Sequence, residues 1–280
     1  MALPEDFDID AFVSRVLTED LGKGGDVTSN ATIPADARFT AQVNARQSIA
    51  VAGLGIAAAF FRQLDPAIRI EQLAKDGDCV EPRTALMRLE GNARAMLAGE
   101  RSALNTLQHL SGIATLTRQY VDAIAGTGVT LLDTRKTVPG LRVLEKYAAR
   151  MGGAQNHRMR LDDGVLIKDN HVAVCGGAAE AVRRAKSANT GLQVQVEVDR
   201  IDQIEPALAA GADRLLLDNM QAHVLREAVG LVGRRVPLEA SGGVTLETIR
   251  EIAETGVDFI SVGRITQSAP AVDIGLDYSV

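Results

Sequence analysis

A chain of 280 residues, 46% of them apolar, can bury one large core or a core with a smaller companion. A net charge of −6 argues against a protein held to nucleic acid by phosphate charge, and 3% aromatics with no Trp call for an aliphatic core of the α/β kind. The longest apolar run, Ile49–Phe61, is too short for a bilayer, the acidic MALPEDFDID start lacks signal-peptide form, and Cys79 and Cys175 lie far apart without metal spacing, so a soluble cytoplasmic protein with reduced thiols is expected, with no nucleic-acid or membrane partner.

The apolar residues Phe7, Phe12, Val13, Val16 and Leu17 predict a helix over 7–21, ending at Gly22, and GGDVTSN then reads as a loop. From Arg38 to Glu90 the text changes to short strand-like runs, FTAQVNA, SIAVAG and TALMRLEG, parted by DGD and EPRT. This predicts a small sheet domain with few long helices. A long helix follows from Ala93 to about Ala125, with Leu97, Leu104, Leu107, Leu110, Ile113, Leu116, Tyr120 and Ile124 at three- and four-residue steps. Arg101 lies between them, and spacing alone reads it as a solvated helix-face residue.

After Thr127 the chain becomes repetitive. Apolar runs end in Asp133, Lys168, Glu197, Asp218, Ser241 and Gly263, spaced by 35, 29, 21, 23 and 22 residues. Helical text such as IDQIEPALAAGAD and TLETIREIAETGVD separates the later ones. Units of this length build a parallel sheet with right-handed crossovers. Six strands without a change of direction favour a closed or nearly closed barrel over an open doubly wound sheet. No GxGxxG follows the first strand, which weakens a dinucleotide-binding reading.

Barrel enzymes gather their reactive residues at the C-terminal strand ends, so these polar ends predict one shared site. The stretch Asp133–His171 carries eight Lys or Arg against five Asp or Glu, a local +3 inside the acidic chain. Arg135, Lys136, Arg158 and Lys168 suit an anion with more than one charged group. The small residues of SGGV at 241–244 and SVGR at 261–264 allow backbone N–H groups to approach a phosphate. Glu197 and Asp218 suit a hard divalent cation, sugar hydroxyls, or the site's own cations as partners. Lys168 reads as a fixed cation or a Schiff-base lysine, and His157 as an acid–base group, a neutral donor or a structural histidine. Two rival functions stay open on these residues: an aldolase-like enzyme, and a non-catalytic anion-binding protein.

ERSALN, LSGIAT, DTRKTVPGLR, EKYAARMGG, NHRMRLDDGVLIKDNH, VEVD, LLLDN, EASGGV and TGVDFISVG together resemble quinolinate phosphoribosyltransferases, over nearly the whole chain from EDLGKGGDVTS onward. The resemblance implies an α/β protein with an open, incomplete α/β barrel over 113–270, a smaller sandwich-like α/β domain over 1–112, and a tail, 271–280, packing back on that domain. It implies transfer from phosphoribosyl pyrophosphate to quinolinate with decarboxylation, giving nicotinate mononucleotide, pyrophosphate and carbon dioxide, with Mg2+ and in a homodimer or larger homo-oligomer. By position, Thr134, Arg135, Lys136, His157, Arg158 and Lys168 would bind quinolinate and the adjoining phosphates. Arg101 would reach the same pocket from the neighbouring subunit. Glu197 and Asp218 would engage ribose and Mg2+, while Ser241, Gly242, Gly243 and Gly263 would hold the 5′-phosphate. Lys136, Lys168, Glu197 and Asp218 would be the catalytic set. Arg264, a further candidate that could strengthen phosphate binding or simply point outward, departs from the family, since SVGRITQS stands where members more often read SVGALTHS.

Overall fold

A computed structural model describes residues 7–279, which fall into two compact units. The first holds residues up to 118, the stretch 143–153 and the C-terminal residues from 268. The second holds 119–142 and 154–267.

The first unit opens with the helix Ile9–Leu21. The Asp8 carboxylate accepts the Ala11 N–H at 2.9 Å, and Gly22, at φ 54°, closes the other end. Its buried Phe12 meets Phe60 edge-on, with ring centroids 6.2 Å apart. Phe60 belongs to the helix Leu54–Leu64, which replaces much of the longest apolar run. That text is apolar almost throughout, so no 3.6-residue period stands out in it.

Five strands of this unit precede the long helix: β1 (Arg38–Ala45), β2 (Ile49–Ala50), β3 (Arg69–Gln72), β4 (Cys79–Val80) and β5 (Ala85–Asn92). The helix Ala93–Ala123 follows. In the same unit the helix Arg142–Gly152 buries Glu145 and Lys146 completely, and His109 Nε2 lies 2.9 Å from the Glu145 carboxylate.

Six strands of the second unit come next: β6 (Thr130–Leu132), β7 (Val165–Ile167), β8 (Val194–Val198), β9 (Arg214–Asp218), β10 (Leu238–Ser241) and β11 (Phe259–Ser261). The last strand, β12 (Ile274–Ser279), returns to the first unit and lies antiparallel to β1, with Val43 opposite Leu276. That sheet has the order β12-β1-β5-β3, and β2 pairs with β4 apart from it.

The second unit's sheet is parallel, in the order β6-β11-β10-β9-β8-β7. Its two edges, β6 and β7, are not paired with each other, so the barrel is open there. The GAD and GVD turns set the strand starts. Asp213 accepts the Val194 N–H at 2.6 Å, and Asp258 accepts the Leu238 N–H at 2.7 Å. Each acid thus ties the start of one strand to the turn leading into the next.

Along β8 to β11 the side chains alternate. Val196, Val198, Leu215, Leu217, Ala240 and Ile260 are buried aliphatics. The intervening Gln195, Glu197, Arg214, Asp218, Glu239 and Ser241 line cavities inside the barrel. The barrel interior is therefore rich in polar side chains, beside Leu166, Leu216 and Phe259, and most of the aliphatic core of this unit lies on the other face of the strands.

Candidate active site

All the candidate residues except Arg101 and the strand-end Asp133 line one cavity of about 750 Å³ at the C-terminal strand ends of the second unit. Arg101 belongs to the first unit, exposed on the helix Ala93–Ala123.

Arg135 and Lys136 follow β6. The Thr134 hydroxyl accepts the Lys136 N–H at 3.0 Å, and Thr266 donates to the Lys136 carbonyl at 2.8 Å, which pins the turn. Asp133, at the end of the same run, is fully buried and does not line the cavity. Its carboxylate accepts the His157 N–H at 2.8 Å and an Asn156 amide hydrogen, so it shapes the NHR loop. That loop turns His157 and Arg158 inward. Arg158 donates to the Gly164 carbonyl at 2.9 Å, and burial, then the charge of Arg135, lowers its pKa. Two guanidinium groups are therefore held near each other against their own repulsion, a state that a multivalent anion relieves.

Of the other cations in the Asp133–His171 stretch, Arg142 donates to the Met159 carbonyl, Arg160 pairs with Asp162, and Lys146 is buried in its helix. The positive patch is accordingly smaller than the sequence count. Its cavity-facing members are Arg135, Lys136, Arg158 and Lys168. Lys168 caps the helix Asp169–Cys175, where its N–H donates to His171 Nδ1 at 2.9 Å. That bond ties His171 to the turn, and His171 does not line the cavity.

Glu197 and Asp218 stand half-buried at the ends of neighbouring strands. Burial raises the Glu197 pKa, and the nearby Asp218 charge raises it further, against the pull of Lys168. Burial also raises Asp218, opposed by a hydrogen bond from Asn219 and by Lys168 and Lys136. Two crowded carboxylates of this kind gain from a divalent cation, which offers charge without a proton. Among the described residues no cluster of three or more His, Cys, Asp or Glu converges on a point. A cation held here would take further oxygens from phosphate or water, which suits Mg2+.

The glycine turn after β10 is built for close approach. Gly242 has φ 90°, and a Cβ placed on it would sit 2.2 Å from Asn219 Oδ1 and 3.0 Å from the Asn219 backbone nitrogen. Asn219, itself at φ 54°, donates its N–H to the Ser241 carbonyl at 2.9 Å. Ser261 donates to Ser241 Oγ at 2.9 Å, which joins the last two strand ends. Gly263 abuts Lys136, since a Cβ there would lie 2.8 Å from Lys136 Cδ. Gly242→Ala is expected to cost about 2–3 kcal/mol in chemical unfolding, from left-handed strain plus displacement of Asn219. An unchanged urea midpoint would contradict this account of the turn.

The cavity also contains residues that the sequence reading passed over. Asp169, Asn219, Glu239, Ser261 and Gln267 line it. Glu239 is fully buried, and the others fill its rim and floor. The signal for Glu239 was the alternation in LEAS, where a charged residue stands between two aliphatic ones in a buried strand.

Family models describe the chain on both sides of residue 112. Residues 26–111 match the quinolinate phosphoribosyl transferase N-terminal domain, and residues 113–277 match the C-terminal domain. A probable carboxylating nicotinate-nucleotide pyrophosphorylase of Synechocystis sp. is 41% identical over 98% of this chain and 94% of its own. The carboxylating nicotinate-nucleotide pyrophosphorylase of Mycobacterium leprae is 41% identical over 95% of each chain. The structure of the nicotinate-nucleotide pyrophosphorylase from Francisella tularensis superposes with a TM-score of 0.94 at 40% identity, covering 99% of this chain and 98% of that one. Matches of this extent across both halves, on a chain whose strand ends carry this cavity, make it a member of the quinolinate phosphoribosyltransferase family.

Proposed function

We propose that this chain transfers the phosphoribosyl group of phosphoribosyl pyrophosphate to the ring nitrogen of quinolinate and releases carbon dioxide, forming nicotinate mononucleotide and pyrophosphate for NAD synthesis. The observation that carries the reading is a single cavity lined by five cations, the crowded carboxylates of Glu197 and Asp218 and a glycine turn. These groups match a dicarboxylate, a ribose and a phosphate.

In this reading Arg135 and Arg158, with His157 and Lys168 beside them, hold the two quinolinate carboxylates. The turn Ser241–Gly243, with Gly263 and Arg264, receives the 5′-phosphate. The ring nitrogen's lone pair forms the bond to the anomeric carbon as the bond to pyrophosphate breaks. Glu197 and Asp218 face the positive charge that grows on the ribose, and Lys136 faces the departing phosphates. Mg2+, held by Glu197 and Asp218, would add charge neutralisation at the pyrophosphate. Once ribosylated, the ring nitrogen is cationic and stabilises the electron pair that stays on the adjacent ring carbon when its carboxylate departs as carbon dioxide. A proton then fills that carbon. Positioning does more of this work than a base.

Incubation with quinolinate, phosphoribosyl pyrophosphate and Mg2+ tests the reading, with nicotinate mononucleotide and carbon dioxide expected in equal amounts. Folded protein that binds phosphate yet yields neither product would refute it.

Within the same proposal the working unit is a homodimer or a larger homo-oligomer in which Arg101 serves a neighbouring site. Its exposed position supports this, because a guanidinium there is free to meet another subunit. Arg101→Ala and Lys168→Ala proteins, each inactive alone, should regain roughly a quarter of wild-type activity when unfolded and refolded together in equal amounts. Half the dimers then carry one intact site of two. No regain would exclude sharing. A reducing compartment such as the cytoplasm suits the two free thiols, Cys79 and Cys175. Among the described residues no helix is long and apolar enough to cross a membrane.

A further inference from the structure

Beneath the cation-lined wall lies a buried polar cluster of which phosphoribosyl transfer, as derived above, uses only His157. Its centre is Glu239, fully buried in β10. One of its oxygens, Oε2, meets three groups: Arg214 Nη2 at 2.7 Å, Gln195 Nε2 at 2.8 Å and His157 Nε2 at 3.4 Å. Arg214 is further fixed by stacking, its guanidinium carbon 3.8 Å from the Phe259 ring centroid.

The cluster has a definite place. Glu239 lines the substrate cavity, whereas Gln195 and Arg214 line a second cavity of about 560 Å³ toward the N-terminal strand ends. His157 lines both. The four side chains therefore stand where the two cavities meet inside the open barrel. A bare carboxylate at the floor of a dicarboxylate pocket would repel the ligand. Arg214 balances that charge from the far side, so the cations on the near side stay available.

The hydrogen bonds of His157 restrict its protonation pattern. The Arg158 N–H donates to His157 Nδ1 at 2.8 Å, so Nδ1 acts as an acceptor. The ring proton then sits on Nε2, the nitrogen that faces Glu239.

We propose that Glu239 is a positioning residue for the pyridine side of the site, its charge acting with the Arg158 N–H to hold His157 as its Nε2–H tautomer and, with Gln195 and Arg214, closing the substrate cavity from the cavity behind it. This rests on the phosphoribosyl-transfer reading for its kinetic consequence, but not for the tautomer. Glutamine at 239 keeps the shape and loses the charge. Its amide can still accept from Gln195, but it turns no anionic oxygen toward His157 and leaves Arg214 without a counter-charge.

The test joins two readouts on Glu239→Gln. Nitrogen-15 NMR of the imidazoles, assigned through a His157→Gln control, reads the tautomer without any substrate. Wild type should give the Nε2–H pattern, and Glu239→Gln a mixed or averaged one. Kinetics should then show the KM for quinolinate raised about tenfold or more, with the KM for phosphoribosyl pyrophosphate within about twofold. Glu239→Asp should restore part of the difference. A His157 signal identical in both proteins would overturn the proposal, whatever the kinetics. So would equal changes in both KM values, which a loosened fold would give. If wild type makes no product while the tautomer result stands, the functional reading falls and the tautomer assignment survives. Should Glu239→Gln fail to fold, the pair Glu239→Gln with Arg214→Gln removes both charges together and permits the same NMR comparison.

Discussion

Arg158→Met is expected to lower kcat/KM for quinolinate by about two to three orders of magnitude while leaving thermal stability at or slightly above wild type. The two halves of this expectation share one cause. Burial and the charge of Arg135 both disfavour the Arg158 cation, so the empty site carries repulsion that the fold tolerates. Removing one guanidinium relieves it, although the bond to the Gly164 carbonyl is lost as well. In the complex the balance reverses. A desolvated carboxylate without its counter-ion costs about 2–5 kcal/mol, which corresponds to the loss in kcat/KM. Arg158→Lys keeps the charge and loses the planar fork, so it should recover only part of the difference. Steady-state kinetics on each substrate, with thermal unfolding in the presence and absence of quinolinate, checks both halves. A variant with normal quinolinate kinetics would remove Arg158 from the binding set. A fall in stability of several kcal/mol would mean that the residue chiefly serves the fold.

The column of strand-end residues was readable because the spacing of Lys168, Glu197, Asp218, Ser241 and Gly263 follows the length of a strand–helix unit, and barrel geometry turns that spacing into one rim. What lay below the rim was harder to see. The composition calls for an aliphatic core, and the buried valines of VQVEV with Leu215 and Leu217 of RLLLD supply it. Those residues face the helix side, while Gln195, Arg214 and Glu239 face inward. Alternation of polar and apolar residues in VQVEV and LEAS, strands with no exposed residue, was the available signal. Asp133 showed the opposite limit. It stands at a strand end like the others, but its buried carboxylate binds the backbone of the next loop instead of facing the cavity. A one-dimensional pattern places a residue at the rim without stating which way its side chain turns. Lys146 was similarly opaque, because EKYAAR is helical text whose charges carry no mark of burial. The helix Leu54–Leu64 was hidden for a different reason, since uniform hydrophobicity erases period.

Glu197 and Asp218 lead to a prediction about pH. Both have pKa values raised in the folded protein, Glu197 by burial and then by Asp218, and Asp218 by burial. A carboxyl whose folded pKa exceeds its unfolded one stabilises the fold most when protonated. Its contribution is complete below the unfolded value and is lost as pH rises through the folded one. The proposed reaction asks for the opposite state, because in it only the ionised pair would face the ribose cation and hold Mg2+. The acid limb of kcat/KM for phosphoribosyl pyrophosphate should therefore lie above the ordinary carboxylate range. Raising the Mg2+ concentration should move it to lower pH, since the metal competes with the proton for the same oxygens. Asp218→Asn removes the neighbouring charge that raises Glu197. The surviving limb should shift downward even as kcat falls about a hundredfold or more through lost charge stabilisation. The stability of that variant above neutral pH should not fall, because a strained carboxylate has gone. A limb that stays put in Asp218→Asn and ignores Mg2+ would show that another group titrates, and would take the metal away from these two residues.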